Sequence, residues 1–368
     1  RIIHTSQTEE TKMAADYSHQ KDCLDTMLAD GVHSGVIVLP TGAGKSRIEF
    51  DHARYVSENK DRHNIVIFVA PRIILCQQLI RDFAKQSANA GMVNKMGYFN
   101  QLLTFVSSGA VPKIKINKKD ILQGSIRTTK KSEIAKEIAF AEAQDVDNYI
   151  FSTYASFWAC MEGIAAATKD NPDAYAIHLI ADEAHYFARG NELKDGSERC
   201  FDALKKHIGL FTTRFFFTAT PKVKEDEVWG DSPDSSGLNN SLIYGPLPLF
   251  IRKPMNLIPK NIITEPLLHK VRLPEGMNDS NFDAYAGDFI LKVFTEHERI
   301  VNQGCHDESA GYIGGKLMVA VGGSQQLAAI INSNLLIEAR RAKINVAWTM
   351  SVDAVGTFIK PIDEDTEG

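Results

Sequence analysis

The sequence has few cysteines, and they have no spacing that indicates a disulfide framework or a zinc site. The five are an odd number and lie far apart, at Cys23, Cys76, Cys160, Cys200 and Cys305. The longest apolar stretch, from Ile65 to Leu79, is interrupted by Pro71 and Arg72, and no signal peptide is recognisable. We therefore expect no membrane span, and a cytoplasmic or other reducing intracellular compartment.

The chain also lacks a strong charge of one sign. It has 41 basic and 46 acidic residues, a formal net charge of −5. Such a balance does not favour coating by nucleic acid over the whole surface, so any nucleic-acid-binding face has to be local. The length of 368 residues exceeds the usual limit of a single core, which favours two domains. Because the chain opens on arginine, we expect that a native start precedes it.

A buried strand that runs into a glycine-rich turn is the most informative feature present. Residues 36–39 are apolar and mostly β-branched, Pro40 ends the run, and a helix is expected from about Ile48. The turn between them is Thr41-Gly42-Ala43-Gly44-Lys45-Ser46. Strand, glycine loop and helix are the context of a phosphate-binding loop, whose amides and helix N-terminus attract a triphosphate.

The side chains that end this turn suit a nucleotide with its metal. We expect Lys45 to contact the outer phosphates of the nucleotide and the Ser46 hydroxyl to bind Mg²⁺. The general pattern asks for glycine five places before Gly44, where this chain has Leu39. On the loop alone, a glycine turn followed by a capped helix therefore stays an alternative.

Two adjacent acids follow a second apolar strand at 177–181. Asp182 is expected to hold Mg²⁺, mainly through water, and Glu183 to polarise an attacking water. After a phosphate-binding loop in the same sheet, this pair favours a site for nucleotide hydrolysis, although Asp-Glu alone often only begins a helix. His178, inside the strand, is interpreted as a core histidine.

Hydroxyl side chains end two further predicted strands. Ser152 and Thr153 follow the apolar residues 149–151, where they are expected to hold a sugar–phosphate backbone or to cap a helix. Thr218 and Thr220 follow the strand 215–217, and their hydroxyls are expected to hydrogen-bond His185 and to relay the nucleotide state. The alternative for the second group is a strand that ends in a proline turn.

Gln20 and Arg72 are two further candidates for binding, and each also has a simple structural interpretation. Gln20 lies upstream of the loop, and its amide presents a donor and an acceptor together. It is a candidate to bind the adenine edge because the loop resembles that of superfamily 2 proteins, in which a glutamine upstream of the loop does so. A solvent-facing helix glutamine is as good an interpretation. Arg72 follows the strand 64–70, at the end where open α/β sheets bind ligands. It is expected to contact a nucleic-acid phosphate, unless it is simply solvated.

A basic, loop-like insertion separates the predicted strand Leu102–Val106 from the predicted helix Glu133–Ala143. It carries seven cations, Lys113, Lys115, Lys118, Lys119, Arg127, Lys130 and Lys131, against the single acid Asp120. Such a cluster is suited to phosphate contacts. A solvated surface is the more common interpretation of a charge run, and both stay open.

Taken in order, these segments resemble the motifs of superfamily 2 helicases and translocases. The loop 40–46 is similar to motif I, Ala70-Pro71-Arg72 to motif Ia, and Ser152-Thr153 to motif Ib. Asp182-Glu183-Ala184-His185 spells the DEAH box, and Thr218-Ala219-Thr220 is similar to motif III. The resemblance covers roughly residues 15–225. Its closest likeness is to the restriction-enzyme motor and phage-type helicase branch, which points to a bacterial or viral source.

The resemblance implies an α/β fold, a RecA-like parallel sheet flanked by helices and followed by a partial second RecA-like lobe. We place the first lobe at 1–245, and the linker and truncated second lobe at 246–368. It further implies ATP and Mg²⁺ as cofactors and a nucleic-acid partner, with DNA favoured over RNA. Nuclease or methylase subunits are candidate partners, and no membrane partner is expected.

The sequence departs from the family pattern in its last hundred residues. Neither motif V nor the arginine-bearing motif VI precedes the acidic segment 363–367. We therefore expect that the motor is truncated or that its remainder was left out, and that these residues alone bind ATP better than they hydrolyse it. A catalytically weak nucleic-acid-binding scaffold is therefore the alternative function. A P-loop kinase or switch GTPase is disfavoured, because the chain has no Asn-Lys-x-Asp motif and no lid segment.

Overall fold

A computed structural model describes most of the first 260 residues and a short helical piece beyond them. The described ranges are 16–59, 61–89, 102–107, 115–116, 119–120, 126–188, 199–221, 237–246, 248–260, 262–263, 289–293 and 295. By their contacts, Arg1–Glu265 form one compact unit and Pro266–Gly368 a second. The domain boundary at 245/246 stays a prediction. The predicted strands and helix at 316–348 lie outside the described residues.

The first unit is built on a sheet in which every pairing is parallel. Its strands are β1 (Ser34–Val38), β2 (His63–Ala70), β3 (Leu102–Val106), β6 (Ile126–Arg127), β7 (Asn148–Thr153), β8 (Tyr175–Ala181), β9 (Thr213–Thr218) and β10 (Phe250–Ile251). They are ordered β10-β1-β9-β8-β2-β7-β3-β6. The short strands β4 (Lys115–Ile116) and β5 (Lys119–Asp120) form a separate antiparallel pair.

Helices connect the strands. They are α1 (Ser18–Met27), α2 (Lys45–Glu58), α3 (Ile73–Asn89), α4 (Lys131–Ala143), α5 (Phe157–Thr168), α6 (His185–Ala188), α7 (Arg199–Lys206), α8 (Ser241–Tyr244) and α9 (Pro254–Leu257). None of the helices in the described ranges is both long and apolar enough to cross a membrane. The parallel sheet and the helices that connect its strands confirm the predicted RecA-like fold for the first unit.

The alternation of side chains along each strand divides the core between the two faces of the sheet. In β2, Val66 and Phe68 pack with α1, α2 and α3 on one face, whereas Ile65, Ile67 and Val69 belong to the opposite face. That second face is covered by α4, α5, α6 and α7. Burial on both faces explains why these strands read as continuous apolar runs rather than alternating ones.

The predicted basic loop between 102–106 and 133–143 contains structure that the charge pattern hides. β6 pairs with β3 at the edge of the sheet, and α4 begins at Lys131. The prediction of a purely loop-like segment was therefore wrong at these positions. β-strand pairing and a helix start need few apolar residues at an edge, so a lysine-rich composition does not exclude them. Lys113 and Lys118 lie outside the described residues.

Two histidines are buried together beneath the face that carries α2. His52 and His178 lie 6.4 Å apart between ring centroids, and His52 packs edge-on against Phe215 at 5.0 Å. The Nδ1 atom of His178 is 2.9 Å from the Thr213 hydroxyl. Burial is the main cause that lowers the pKa of His52 to about 3 and that of His178 to about 4. Both rings are therefore neutral in the folded protein.

This burial predicts a pH dependence of stability. Below pH 6.5 the unfolded chain binds protons on these histidines that the folded chain does not bind. The free energy of unfolding therefore decreases as the pH is lowered. Between pH 7.5 and 5.0 we expect His52→Phe to lose about 2 kcal/mol less stability than the parent. Urea unfolding at the two pH values measures the difference, and an equal loss in both proteins would contradict the neutral state of His52.

A close approach at Gly35 in β1 predicts a second effect on stability. A Cβ atom at this glycine would lie 2.4 Å from the Cβ of Leu249, whereas one at Gly209 would meet nothing within 4 Å. We expect Gly35→Ala to lower the free energy of unfolding by about 1–3 kcal/mol through overpacking. Gly209→Ala is the matched control and is expected to leave it unchanged or slightly higher. Equal midpoints of urea unfolding for the two variants would refute the close packing.

Candidate nucleotide site

The glycine turn between β1 and α2 has the backbone that a phosphate-binding loop needs. Gly42 and Gly44 both have φ of 84°, a left-handed conformation that side chains with a Cβ resist. The Ala43 amide donates to the Pro40 carbonyl over 3.2 Å, which closes the turn. Gly44 is the N-cap of α2, so Lys45 and Ser46 are the first residues of the helix. The turn therefore brings a lysine, a hydroxyl and a helix N-terminus to one point.

Helix α1 holds this turn from outside. His19 Nε2 lies 2.8 Å from the Ala43 carbonyl oxygen, and Gln20 Nε2 donates to the same oxygen over 3.2 Å. A Cβ at Gly44 would approach Gln20 Nε2 to 2.2 Å. The proposed adenine contact of Gln20 stays a prediction, and its observed contact is with the loop. His19, which is buried, was missed by sequence reasoning, although its place beside Gln20 offered a signal.

The acidic pair lies at the same edge of the sheet as the loop. β9 stands between β1 and β8, and the Leu39 amide donates to the Thr218 carbonyl over 3.0 Å. The Asp182 amide donates to the Val69 carbonyl over 2.9 Å, so the aspartate directly follows β8. Lys45 is close enough that its charge counteracts the burial of Asp182. Burial prevails and raises the pKa of Asp182 to about 6.

Glu183 is held in an uncommon conformation by its neighbours. Its φ is 53°, its amide donates to Asp182 Oδ1 over 2.9 Å, and its Oε2 lies 3.3 Å from His185 Nδ1. The hydrogen bond from His185 is the main cause that lowers the pKa of Glu183, and the charge of Lys45 adds to it. The carboxylate is therefore ionised, and a left-handed non-glycine residue is typical of functional sites.

The Thr218 hydroxyl links the strand β9 to this group. His185 Nδ1 lies 3.2 Å from Thr218 Oγ1, and the same oxygen accepts the Thr220 amide over 3.1 Å. The Thr220 side chain is exposed. The expected contact of a strand-end hydroxyl with His185 is thus present at Thr218. In the described residues, the Thr220 side chain makes no such contact. The coupling role of all three residues stays a prediction.

A third carboxyl, Glu49, was missed by sequence reasoning. It lies one helical turn beyond Lys45 in α2 and is fully buried. Neither of its carboxyl oxygens has a hydrogen-bond partner within the described part of the chain. Burial, followed by the negative charge of Asp182, raises its pKa well above the usual range, against the effect of Lys45. The signal was a glutamate flanked by Ile48 and Phe50 at a core position of the helix.

Tyr154 was also missed, and it fixes the backbone of the acidic pair. It is fully buried, and its hydroxyl donates to the Asp182 carbonyl oxygen over 2.8 Å. Its ring stacks on Tyr186 with centroids 5.4 Å apart. A single tyrosine between a strand and a helix gives no sequence signal of this contact, because its partner is 28 residues away.

Four further predicted residues differ in how far they are exposed. Thr41 is exposed on the loop, and Arg72 is exposed at the start of α3, beyond the end of β2. Ser152 and Thr153 are both buried, and the Ser152 hydroxyl donates to the Thr153 carbonyl over 3.0 Å. Their burial leaves little of either side chain accessible to a strand of nucleic acid. The nucleic-acid contacts assigned to Arg72, Ser152 and Thr153 stay predictions.

The Tyr154 contact gives a direct test of how the site is held. Tyr154→Phe removes the donor to the buried Asp182 carbonyl, so we expect a loss of about 1–3 kcal/mol in the free energy of unfolding. Tyr55→Phe is the matched control, because Tyr55 is 53% exposed on α2. Urea unfolding measures both variants. Equal stability of the two would show that the hydroxyl does not support Asp182.

Comparison with known proteins assigns the chain to a family. The family described as "Type III restriction enzyme, res subunit" matches residues 14–223, which include the loop, the acidic pair and the Thr218 strand. No curated protein matches the chain.

Solved structures give weaker likenesses. The nuclease-deletion mutant of the Type ISP restriction-modification enzyme LlaGI, in complex with a DNA substrate mimic, is 21% identical with a TM-score of 0.44, over 62% of this chain and 16% of that one. LlaBIII, an ATP-dependent Type ISP enzyme bound to DNA, is 19% identical with a TM-score of 0.45, over 71% and 16%. The UvsW helicase from bacteriophage T4 is 16% identical with a TM-score of 0.30, over 55% and 51%.

The chain thus spans about a sixth of the two Type ISP enzymes, and at these identities and TM-scores their activities do not carry over to it. The family match, by contrast, covers more than half of the chain and includes the residues of the nucleotide site. The chain belongs to the family of the Res subunit of type III restriction enzymes and has a superfamily 2 helicase-type fold.

Proposed function

We propose that this chain is the nucleotide-binding part of a nucleic-acid-dependent ATPase, a helicase or translocase that moves on DNA. The observation that carries the proposal is the meeting of Lys45, Asp182 and Glu183 at the carboxyl edge of neighbouring parallel strands, within electrostatic reach of one another. The family favours DNA over RNA as the track. It also makes a nuclease or methylase subunit a candidate partner.

The donor set fits ATP with Mg²⁺. Gly42 and Gly44 leave the turn without a Cβ in its left-handed positions, so its backbone can approach phosphate oxygens closely. Ser46 and Asp182 are the residues that would hold Mg²⁺, a cation that prefers oxygen ligands and keeps several waters. When bound, the metal ion would neutralise charge that develops on the phosphate oxygens.

Each side chain has a distinct part in hydrolysis. The Lys45 ammonium binds the outer phosphate oxygens and lowers the cost of their charge. Glu183 accepts the proton of the attacking water, and its ionised state suits a base. His185 holds the Glu183 carboxylate through Nδ1, and the same nitrogen lies next to the Thr218 hydroxyl. A change at the nucleotide therefore reaches β9 through a chain of two contacts.

Glu183→Gln is the variant that tests the base. We expect hydrolysis of ATP to fall about 10²–10⁴-fold, because the amide cannot take up the proton, while ATP affinity stays within a few fold. Glu58→Gln is the control, since Glu58 is exposed at the end of the same helix that begins with Lys45. Phosphate release and binding of a fluorescent ATP analogue are measured with and without single-stranded DNA or RNA.

Three results would contradict the proposal. If the parent fails to bind ATP, the site is not a nucleotide site. If Glu183→Gln hydrolyses ATP as the parent does, the base is elsewhere. If the parent binds and hydrolyses ATP but neither DNA nor RNA stimulates the rate, the chain is not a nucleic-acid motor.

A further inference from the structure

A groove on the face of the sheet opposite α2 is not part of the nucleotide site. It lies between the start of α4, the first turn of α5 and the helix α7, and has a volume of about 790 Å³. That volume falls within the range of about 300–1,000 Å³ that is usual for ligand sites. None of the residues assigned to the nucleotide lines it. We call it the α4–α5–α7 groove.

The charge of this groove is opposite to that of the whole chain. Four cations line it, Lys130, Lys131, Arg199 and Lys206, against the two acids Glu162 and Asp202. The excess is therefore two positive charges in a protein whose formal net charge is −5. A cationic concave surface concentrates anions locally, and phosphates in particular.

Two of these cations form ion pairs with carboxylates of the protein, and for the other two none is found in the described residues. Lys206 is 2.5 Å from Glu162, and Lys130 is 3.0 Å from Glu133. Lys131 and Arg199 have no carboxylate partner among the residues that the structure describes, and both are exposed. Unpaired surface cations that face a common groove are free to contact a phosphate without first breaking an ion pair.

An exposed tryptophan lies among the cations. Trp158 is 40% exposed, and the guanidinium of Arg199 lies 5.9 Å from the centroid of its ring. Its neighbour Phe157 is fully buried and anchors the first turn of α5 to the core. Trp158 is thus an exposed aromatic surface on an anchored helical turn, beside two cations for which no carboxylate partner is found in the described residues. Stacking of a base on an aromatic ring with phosphates on nearby cations is how proteins bind single strands without sequence preference.

We propose that the α4–α5–α7 groove binds one strand of nucleic acid, with a base stacked on Trp158 and adjacent phosphates on Lys131 and Arg199. The inference rests on the proposed motor function and extends it, because it adds a contact surface beyond Arg72 and the predicted Ser152-Thr153 pair. α5 begins four residues after Thr153, at the carboxyl end of β7. The groove is therefore joined to the edge of the sheet where the nucleotide site lies.

Binding of a fluorescent oligothymidylate to the full chain tests the groove by anisotropy. We expect Trp158→Ala to weaken binding roughly 5- to 150-fold, and Trp158→Phe to retain most of the affinity. Lys131→Ala should reduce the slope of log affinity against log salt by about 0.7, as expected for one phosphate contact on a single strand. Tyr55→Ala is the control, because Tyr55 is an exposed aromatic residue on the opposite face and should bind as the parent does.

Two controls separate this inference from the motor proposal. Hydrolysis of ATP without nucleic acid should be unchanged in Trp158→Ala, which also shows that the variant folds. If the parent binds the oligonucleotide and Trp158→Ala and Lys131→Ala bind it equally well, the groove proposal is overturned while the motor proposal stands. Polyglutamate of equal charge is the competitor. If it binds as tightly and is equally sensitive to Trp158→Ala, the occupant is an acidic peptide and the proposal is overturned.

Discussion

The ammonium of Lys45 is the charge on which the candidate site depends. It faces three carboxyl groups, on Glu49, Asp182 and Glu183, in a region largely removed from water. Burial favours the protonated form of the first two, and at Glu49 the charge of Lys45 opposes this effect. A bound phosphate would compete for the same ammonium. Nucleotide binding and the charge state of the carboxyls are for this reason coupled in our proposal.

The surrounding elements hold this group by backbone contacts. His19 and Gln20 fix the loop through the Ala43 carbonyl, and Tyr154 fixes the acidic pair through the Asp182 carbonyl. Backbone contacts of this kind place a side chain without occupying its functional atoms. Two side chains of the site are engaged as well: Asp182 Oδ1 accepts the Glu183 amide, and the Glu183 carboxylate contacts His185, which leads on to Thr218. Through His185 the charge of the site is connected to the hydroxyl of a neighbouring strand.

The nucleotide loop and the proposed nucleic-acid surface lie on different faces of the sheet. The nucleotide loop opens from the side of α1 and α2, whereas the groove lies among α4, α5 and α7 on the other face. The loop and the groove both adjoin one edge of the sheet, because the carboxyl ends of all the parallel strands lie at that edge. A slightly acidic chain can carry a basic groove without contradiction, since the Debye length of about 8 Å confines the effect of distant charges.

Much of the scaffold could be predicted from the chain alone. Buried parallel strands are apolar on both faces, so 64–70, 102–106 and 177–181 stand out as runs, and the glycine turn and acidic pair follow strands directly. The edge strands β6 and β10 escaped prediction, because two-residue strands have no periodicity. Lysines and a proline-rich context obscured them further.

The sequence by itself determined that a lysine, a hydroxyl and two acids follow strands of one parallel sheet, since strand ends and their order are local properties. Only the tertiary structure decided that Glu49 joins them, that Tyr154 supports Asp182, and that Ser152 and Thr153 are buried. It also decided that Trp158 meets Arg199, 41 residues on, across a groove. Such contacts depend on how helices pack over the sheet, and no local pattern of residues encodes the partner.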